Sequence, residues 1–187
     1  MKNKLIFVVL ASSLFLVTGT GVAGTDGEYY FGLQYAEGDY EEDGISETFN
    51  PTLLVGRFGR FITPNFSIEG RLGFDQDDDT QNLSEFGNRD VTLELDKLYG
   101  LYGTGHINIT KSSSIYGVLG FSKVEGIAYI PSIPGLESEE DISSVSYGIG
   151  ADIGIGSSWA LNIEYIRYLE DDDYNLDAAN IGATFSF

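Results

Sequence analysis

The chain lacks cysteine, and it has one histidine, one tryptophan and only ten basic residues against 29 acidic ones. Without cysteine, disulfides, thiolate metal sites and thiol chemistry are excluded. The formal net charge of −19 opposes the phosphates of nucleic acid, which we therefore exclude as a partner. Beyond the N-terminal segment no long apolar run occurs, so the sequence predicts no transmembrane helix.

An export signal occupies the start of the chain. Two lysines precede an apolar run over residues 5–17, and small residues follow up to Ala23. This order of charged, apolar and small residues is typical of a secretory signal peptide. We predict that residues 1–23 are a signal peptide cleaved after Ala23 and that residues 24–187 form one domain.

Glycine, tyrosine and phenylalanine are abundant instead, with 24, 12 and 12 residues. In residues 180–187 apolar residues alternate with small or polar ones up to Phe187. A strand with one apolar and one polar face is typical of a membrane β-barrel. Similar alternation predicts eight strands, at roughly residues 27–37, 49–62, 66–75, 91–107, 114–128, 143–155, 159–169 and 177–187.

Short and long connections alternate between the predicted strands. The short ones are residues 63–65, 108–113 and 156–158, and the long ones are the acidic stretches 37–47, 75–90, 137–141 and 170–177. The four stretches hold 21 of the 29 acidic residues. Bacterial outer-membrane barrels have short periplasmic turns and longer outer loops. The predicted fold class is therefore an all-β, eight-stranded, antiparallel up-and-down transmembrane β-barrel.

The alternation leaves open which face is inside, because a soluble barrel places its apolar residues in the interior. In the predicted fourth strand, Leu95 and Leu101 share one face, and Glu94, Asp96 and His106 share the other. The polar face mixes glycines with charges and would make a poor apolar pocket. We therefore expect the polar face to line the interior and the apolar face to meet lipid.

Three segments carry a resemblance to a known family: Leu101 to Gly120, Gly150 to Tyr165, and the turn Phe61 to Phe66. They are similar to strands and turns of the transmembrane domain of the outer membrane protein A family. The resemblance implies a bacterial outer-membrane location. It also implies that the β-barrel assembly machinery reads the terminal strand, with Phe185 and Phe187 as its insertion signal. We expect a monomer surrounded by outer-membrane lipids and lipopolysaccharide.

Charged residues at inward positions form the main candidate site. If the first short hairpin pairs across its two central residues, Arg60 lies opposite Glu69 and clusters with Arg71. Asp152 and Glu164 match acidic interior positions of the family, as the resemblance implies. Such a cluster either plugs the barrel and fixes its register, or gates a narrow conduit.

Three basic residues, Lys97, Lys123 and Arg167, fall on the lipid-facing side near the long-connection ends of their strands. One interpretation is a belt that contacts lipopolysaccharide phosphates. The other is that these side chains extend to the membrane interface without a specific ligand.

Asp75, Asp77 and Asp79 resemble the start of a calcium-binding loop, since alternate carboxylates can surround one cation. The match then fails, because the expected glycine is missing and Phe86 replaces the last ligand. These residues are weak metal candidates, and a solvated loop is the simpler interpretation.

No catalytic residue stands out. The single histidine, His106, has neither a matching serine two residues later nor an obvious acid to orient it. We therefore expect neither an enzyme nor a cofactor. The sequence favours a structural, membrane-integrity or surface-interaction protein with acidic outer loops. The alternatives are a narrow channel and a lipid-modifying outer-membrane enzyme.

Overall fold

The computed structural model describes residues 26–42, 48–77, 79–83, 89–110, 112–129, 137–171 and 174–187, so the predicted signal peptide lies outside the described residues. The strands are β1 (Tyr29–Glu42), β2 (Thr52–Thr63), β3 (Phe66–Asp77), β4 (Asp79–Leu83), β5 (Arg89–Asn108), β6 (Ser113–Tyr129), β7 (Glu137–Gly154), β8 (Trp159–Glu170) and β9 (Tyr174–Ser186). Within these ranges, no helix is long and apolar enough to cross a membrane.

The nine strands close into a barrel with eight strand positions around the ring, which we call staves. Neighbours in the chain pair antiparallel from β5 to β9, β1 pairs with both β9 and β2, and β2 pairs with β3. Both β3 and β4 pair with β5, so they are two segments of one stave, and the β3–β5 pairing closes the ring. This confirms the predicted antiparallel up-and-down barrel, including its three short turns.

The outer face of the barrel carries a broad band of exposed apolar side chains. Ile149, Phe121 and Leu101 are 71%, 69% and 64% exposed. Alternate positions point inward and include charged side chains, such as Glu69 and Arg71, that are almost fully buried. A soluble barrel has the reverse polarity, so the structure confirms that the apolar face is the one that meets lipid.

An apolar cluster fills the interior at the end of the barrel nearest the long connections. Most of its members lie on the parts of the strands next to those connections: Leu53 lies near the start of β2, Leu169 near the end of β8 and Leu176 near the start of β9. All three are at most 1% exposed. The cluster therefore forms an apolar layer between the long-connection end and the polar interior below it.

Three adjacent strands are longer than a bilayer requires. β5, β6 and β7 have 20, 17 and 18 residues, whereas a tilted strand crosses a membrane in about 9–11. We call their outer parts, residues 89–96, 124–129 and 137–142, the projecting wall. The prediction that residues 137–141 form a loop is therefore wrong, because they pair with β6 as part of β7. Outside the lipid, backbone pairing needs no apolar face.

A β-bulge in β5 makes the predicted inward and outward faces wrong for the residues before it. The register with β6 shifts between Glu94 and Lys97, so Leu95 points inward and is 3% exposed, on the same side as His106. One extra residue in a strand reverses the faces beyond it. Asp96 does not point inward as predicted, because it is half-exposed and forms an ion pair with Lys97. The side chain of Glu94 lies outside the described part.

Candidate functional site: the charged interior

Two ion pairs share Arg71 at the centre of the barrel. Arg71 Nε lies 2.5 Å from Glu69 Oε1 on its own strand. Its Nη1 and Nη2 atoms lie 2.6 and 2.8 Å from the two carboxylate oxygens of Glu164 on β8. Arg57 on β2 donates to Glu69 Oε2 from Nε and Nη2, at 2.9 and 2.7 Å. The two positive and two negative charges cancel, and their side chains connect β2, β3 and β8.

Neutral side chains complete the hydrogen bonding of both carboxylates. Tyr30 donates to Glu69 Oε2 at 2.8 Å, and Tyr116 donates to Glu164 Oε2 at 2.8 Å. Asn180 donates to Glu164 Oε1 at 3.0 Å. Buried charges cost free energy unless they are paired and hydrogen-bonded, so this set of donors stabilises the charged cluster in the barrel interior.

A second polar group lies nearer the short turns. Asn162 donates to Asp152 Oδ1 at 2.7 Å and to the Tyr116 hydroxyl at 2.9 Å, and it accepts a hydrogen bond from Gln34. Asp152 therefore contacts the main cluster through Asn162 and Tyr116 rather than through a direct ion pair with arginine. The structure places Glu69, Arg71 and Glu164 together and Asp152 at the edge of the network.

The predicted place of Arg60 in the cluster is wrong. The observed register pairs Gly59 with Glu69 and Arg60 with Ile68, because the hairpin is irregular between Phe61 and Thr63. This shift turns Arg60 outward, where its guanidinium lies 5.1 Å from the Tyr29 ring. Its predicted role belongs to Arg57.

Sequence reasoning missed Arg57 because its face of β2 resembles a lipid-facing one. Leu53, Val55 and Phe61 share that face and are all buried inside the barrel. Recognising the bulge at the hairpin would have assigned Arg57 to the interior.

The three predicted belt residues lie at the outer border of the apolar band, and each is already paired with acids. Lys123 lies 2.8 Å from Asp141, and Arg167 makes a two-point contact with Asp177 at 2.7 and 2.8 Å. Lys97 lies 2.6 Å from Asp96.

Asp75 supports the bulge of β5. Its carboxylate accepts the backbone N–H of Gln76 at 2.8 Å and that of Leu95 at 3.1 Å. The side chains of Asp77 and Asp79 lie outside the described part. Among the described residues, no group of three or more acids or histidines is arranged to hold a metal ion.

His106 lies inside the barrel near the short turns. Its Nε2 and Nδ1 atoms lie 2.9 Å from the Thr104 hydroxyl and 3.1 Å from the Ser114 hydroxyl. The rings of Phe61 and Tyr116 flank it at 5.1 and 5.0 Å. Both ring nitrogens therefore contact hydroxyl groups.

The C-terminus closes the seam between β9 and β1. Phe187 and Tyr29 exchange two backbone hydrogen bonds, at 2.9 and 3.1 Å, and their rings stack with centroids 6.3 Å apart. Phe185 packs on Trp159 with centroids 5.0 Å apart. These rings form an aromatic girdle at the short-turn border of the apolar band.

A closed barrel with an apolar exterior and a paired, charged interior defines a transmembrane β-barrel. The chain belongs to the outer membrane protein beta-barrel domain family, whose model matches residues 7–187. No curated protein sequence matches the chain at a significant level.

Several solved structures share the fold. Ail, the attachment invasion locus protein of Yersinia pestis, is 18% identical with a TM-score of 0.63, over 87% of this chain and 100% of that one. Neisserial surface protein A is 11% identical with a TM-score of 0.64, over 87% and 100%. OprG from Pseudomonas aeruginosa is 13% identical with a TM-score of 0.61, over 90% and 99%. At these identities the similarity shows the fold alone.

Proposed function

We propose that this outer-membrane barrel is a non-enzymatic, monomeric surface-interaction protein that presents its acidic projecting wall to a cationic partner. The observation that carries the proposal is the extension of β5, β6 and β7 well beyond the length a bilayer needs. The wall includes the acidic run Glu137, Glu139, Glu140 and Asp141. An acidic segment of this composition attracts positively charged partners and repels anionic ones.

Binding of a basic polypeptide tests this proposal. The refolded barrel in nanodiscs is titrated with polylysine, and with heparin as the anionic comparison. We expect salt-sensitive polylysine binding that weakens when Glu139, Glu140 and Asp141 are changed to Gln, Gln and Asn. A control with Asp26→Asn and Glu28→Gln alters the opposite end of the barrel and should bind as the wild type does. Equal binding by all variants would contradict the proposal.

A narrow channel is the first alternative. Buried polar atoms of Gln34, Arg57, Asn180 and Thr184 lack a hydrogen-bonding partner among the described residues, which favours some water in the polar part of the interior. The apolar cluster at the other end opposes a continuous water path. A lipid-modifying enzyme is the second alternative, and mass spectrometry of lipid A with and without the protein tests it.

Export and assembly complete the proposal. We infer that residues 1–23 are removed after export and that the β-barrel assembly machinery recognises the terminal strand. The support for the second step is that Phe185 in β9 and Phe187, one residue after β9, lie at the seam with β1.

A further inference from the structure

A continuous chain of hydrogen bonds joins the central ion pairs to the short-turn end of the interior. Tyr30 donates to Glu69 Oε2 at 2.8 Å, and its hydroxyl lies 2.8 Å from that of Ser67. The Thr104 hydroxyl lies 2.5 Å from the Ser67 hydroxyl and 2.9 Å from His106 Nε2. His106 Nδ1 contacts one more hydroxyl, 3.1 Å away. We call the six residues of this chain the relay: Glu69, Tyr30, Ser67, Thr104, His106 and Ser114.

The fold brings the relay together from four strands. Its members belong to β1, β3, β5 and β6, and Ser67 and Thr104 are partners in the register of β3 and β5. Tyr30 on β1 reaches β3 across β2 because Gly59 has no side chain, and a Cβ atom there would overlap the Tyr30 ring. Each relay residue is at most 7% exposed, so bulk water does not replace its hydrogen bonds.

The Glu69 carboxylate fixes the direction of the hydrogen bonds nearest to it. Paired with Arg57 and Arg71, it is ionised, and an ionised carboxylate can only accept hydrogen bonds. A hydroxyl has one proton, so the proton of Tyr30 points to Glu69 and the oxygen lone pairs of Tyr30 face Ser67. Ser67 must therefore donate to Tyr30.

The same rule applies along the relay as far as the histidine. Ser67 uses its proton on Tyr30, so it accepts a hydrogen bond from Thr104. Thr104 in turn accepts from the Nε2–H group of His106. A neutral imidazole carries one ring proton, so Nδ1 is bare and accepts from Ser114. The reverse direction would leave two acceptors facing each other with no proton between them. In a buried site such an unmade hydrogen bond disfavours that arrangement by about tenfold or more.

We propose that the relay is a positioning device in which Glu69 holds His106 as its Nε2–H tautomer. The charge at the centre of the barrel thereby determines which ring nitrogen is the base at the short-turn end. That base is Nδ1, which faces Ser114, and the half-buried Asp152 is the partner of Ser114 in the register of β6 and β7. The relay couples the central ion pairs to the short-turn end without a change in the backbone.

Nuclear magnetic resonance of ¹⁵N-labelled histidine tests the tautomer, because the chain has one histidine and the spectrum of an untagged protein reports His106 alone. The refolded barrel is measured in nanodiscs at neutral pH. We expect a proton on Nε2 and a bare Nδ1. A proton on Nδ1 alone, or on both nitrogens, would overturn the proposal.

Two variants break the relay between His106 and Glu69. Ser67→Ala removes the middle hydroxyl, and Tyr30→Phe removes the contact with Glu69 while it keeps the aromatic ring. In both variants Thr104 is free to donate to the histidine or to accept from it. The ratio of the Nδ1–H to the Nε2–H tautomer should therefore rise about tenfold or more.

Ser146→Ala and Tyr102→Phe are the matched controls, because both residues are buried and their hydroxyls form hydrogen bonds outside the relay. Both controls should keep the wild-type tautomer, and the heat-dependent gel shift verifies that each variant is folded. An unchanged tautomer in a folded relay variant, or an equal change in the controls, would overturn the coupling.

Discussion

Arg71 and Glu164 lie 93 positions apart in the chain and meet inside the barrel through two hydrogen bonds of 2.6 and 2.8 Å. They belong to β3 and β8, which are not neighbours in the barrel. Their contact therefore spans the interior instead of reinforcing one pairing of strands. Because Arg71 also contacts Glu69, removing its guanidinium would leave Glu164 without its cationic partner and Glu69 with only Arg57.

Arg71→Ala is expected to lower the free energy of unfolding by about 3–5 kcal/mol, because it strands a buried carboxylate. Urea unfolding of the refolded protein in detergent measures the change. Arg60→Ala is the control, since Arg60 is exposed and loses a cation–π contact worth about 0.5–1 kcal/mol. Similar losses for the two variants would show that the observed register is wrong.

A double-mutant cycle isolates the contact itself. Glu164→Ala should destabilise the Arg71→Ala protein less than it destabilises the wild type, with a coupling energy of about 0.5–3 kcal/mol. The same urea measurements supply the four free energies. Additive effects would mean that the two side chains do not interact in solution.

Leu176→Ala is expected to cost about 2–5 kcal/mol, because Leu176 is fully buried in the apolar cluster and its removal leaves a cavity. Ile181→Ala on the same strand is the comparison, since that side chain is 61% exposed towards lipid and leaves no internal cavity. If Ile181→Ala lowers the free energy of unfolding more than Leu176→Ala does, the assignment of the inward and outward faces of β9 is wrong.

Asp75→Ala is expected to cost about 1–3 kcal/mol, because it leaves the backbone N–H of Leu95 without its acceptor at the bulge. Asp75→Asn keeps an oxygen acceptor and should cost less. Amide hydrogen exchange at Leu95 provides the local measurement, with faster exchange expected in Asp75→Ala. Unchanged exchange would exclude this role.

Phe187→Ala is expected to reduce the yield of folded barrel, because Phe187 stacks on both Tyr29 and Phe185. Aromatic pairs of this kind contribute about 0.5–1.5 kcal/mol each. The fraction that shows a heat-dependent gel shift after refolding measures the yield. Ser186→Ala, one residue earlier, should refold as the wild type does.

The sequence was sufficient to predict the eight staves, the short turns and the polarity of the two faces. Alternation with a period of two is a local property, and it predicts the faces correctly wherever strands are regular. The predicted faces were wrong where a single residue shifted the register. The irregularity between Phe61 and Thr63 exchanged Arg60 for Arg57, and the bulge after Glu94 moved Leu95 inward. Neither shift leaves a clear pattern in the sequence.

The prediction that the acidic stretches are loops was wrong at residues 137–141 for a different reason. Residues 137–141 were predicted as a long connection because they form one of the acidic stretches between the strand-like segments, yet they continue β7. Strand length beyond the membrane depends on pairing with β6, and residue type does not reveal that pairing. The ion pair of Arg71 with Glu164 was equally hidden, because it depends on which staves face each other across the closed ring.

Single-channel recording in planar bilayers tests the central claim, which is that paired charges and an apolar cluster seal the interior. Refolded protein whose gel shift shows a closed barrel is added, and the current is followed under an applied voltage. We predict no conductance steps above the lipid background. Reproducible steps of constant size would contradict the sealed interior and make the narrow channel the leading function.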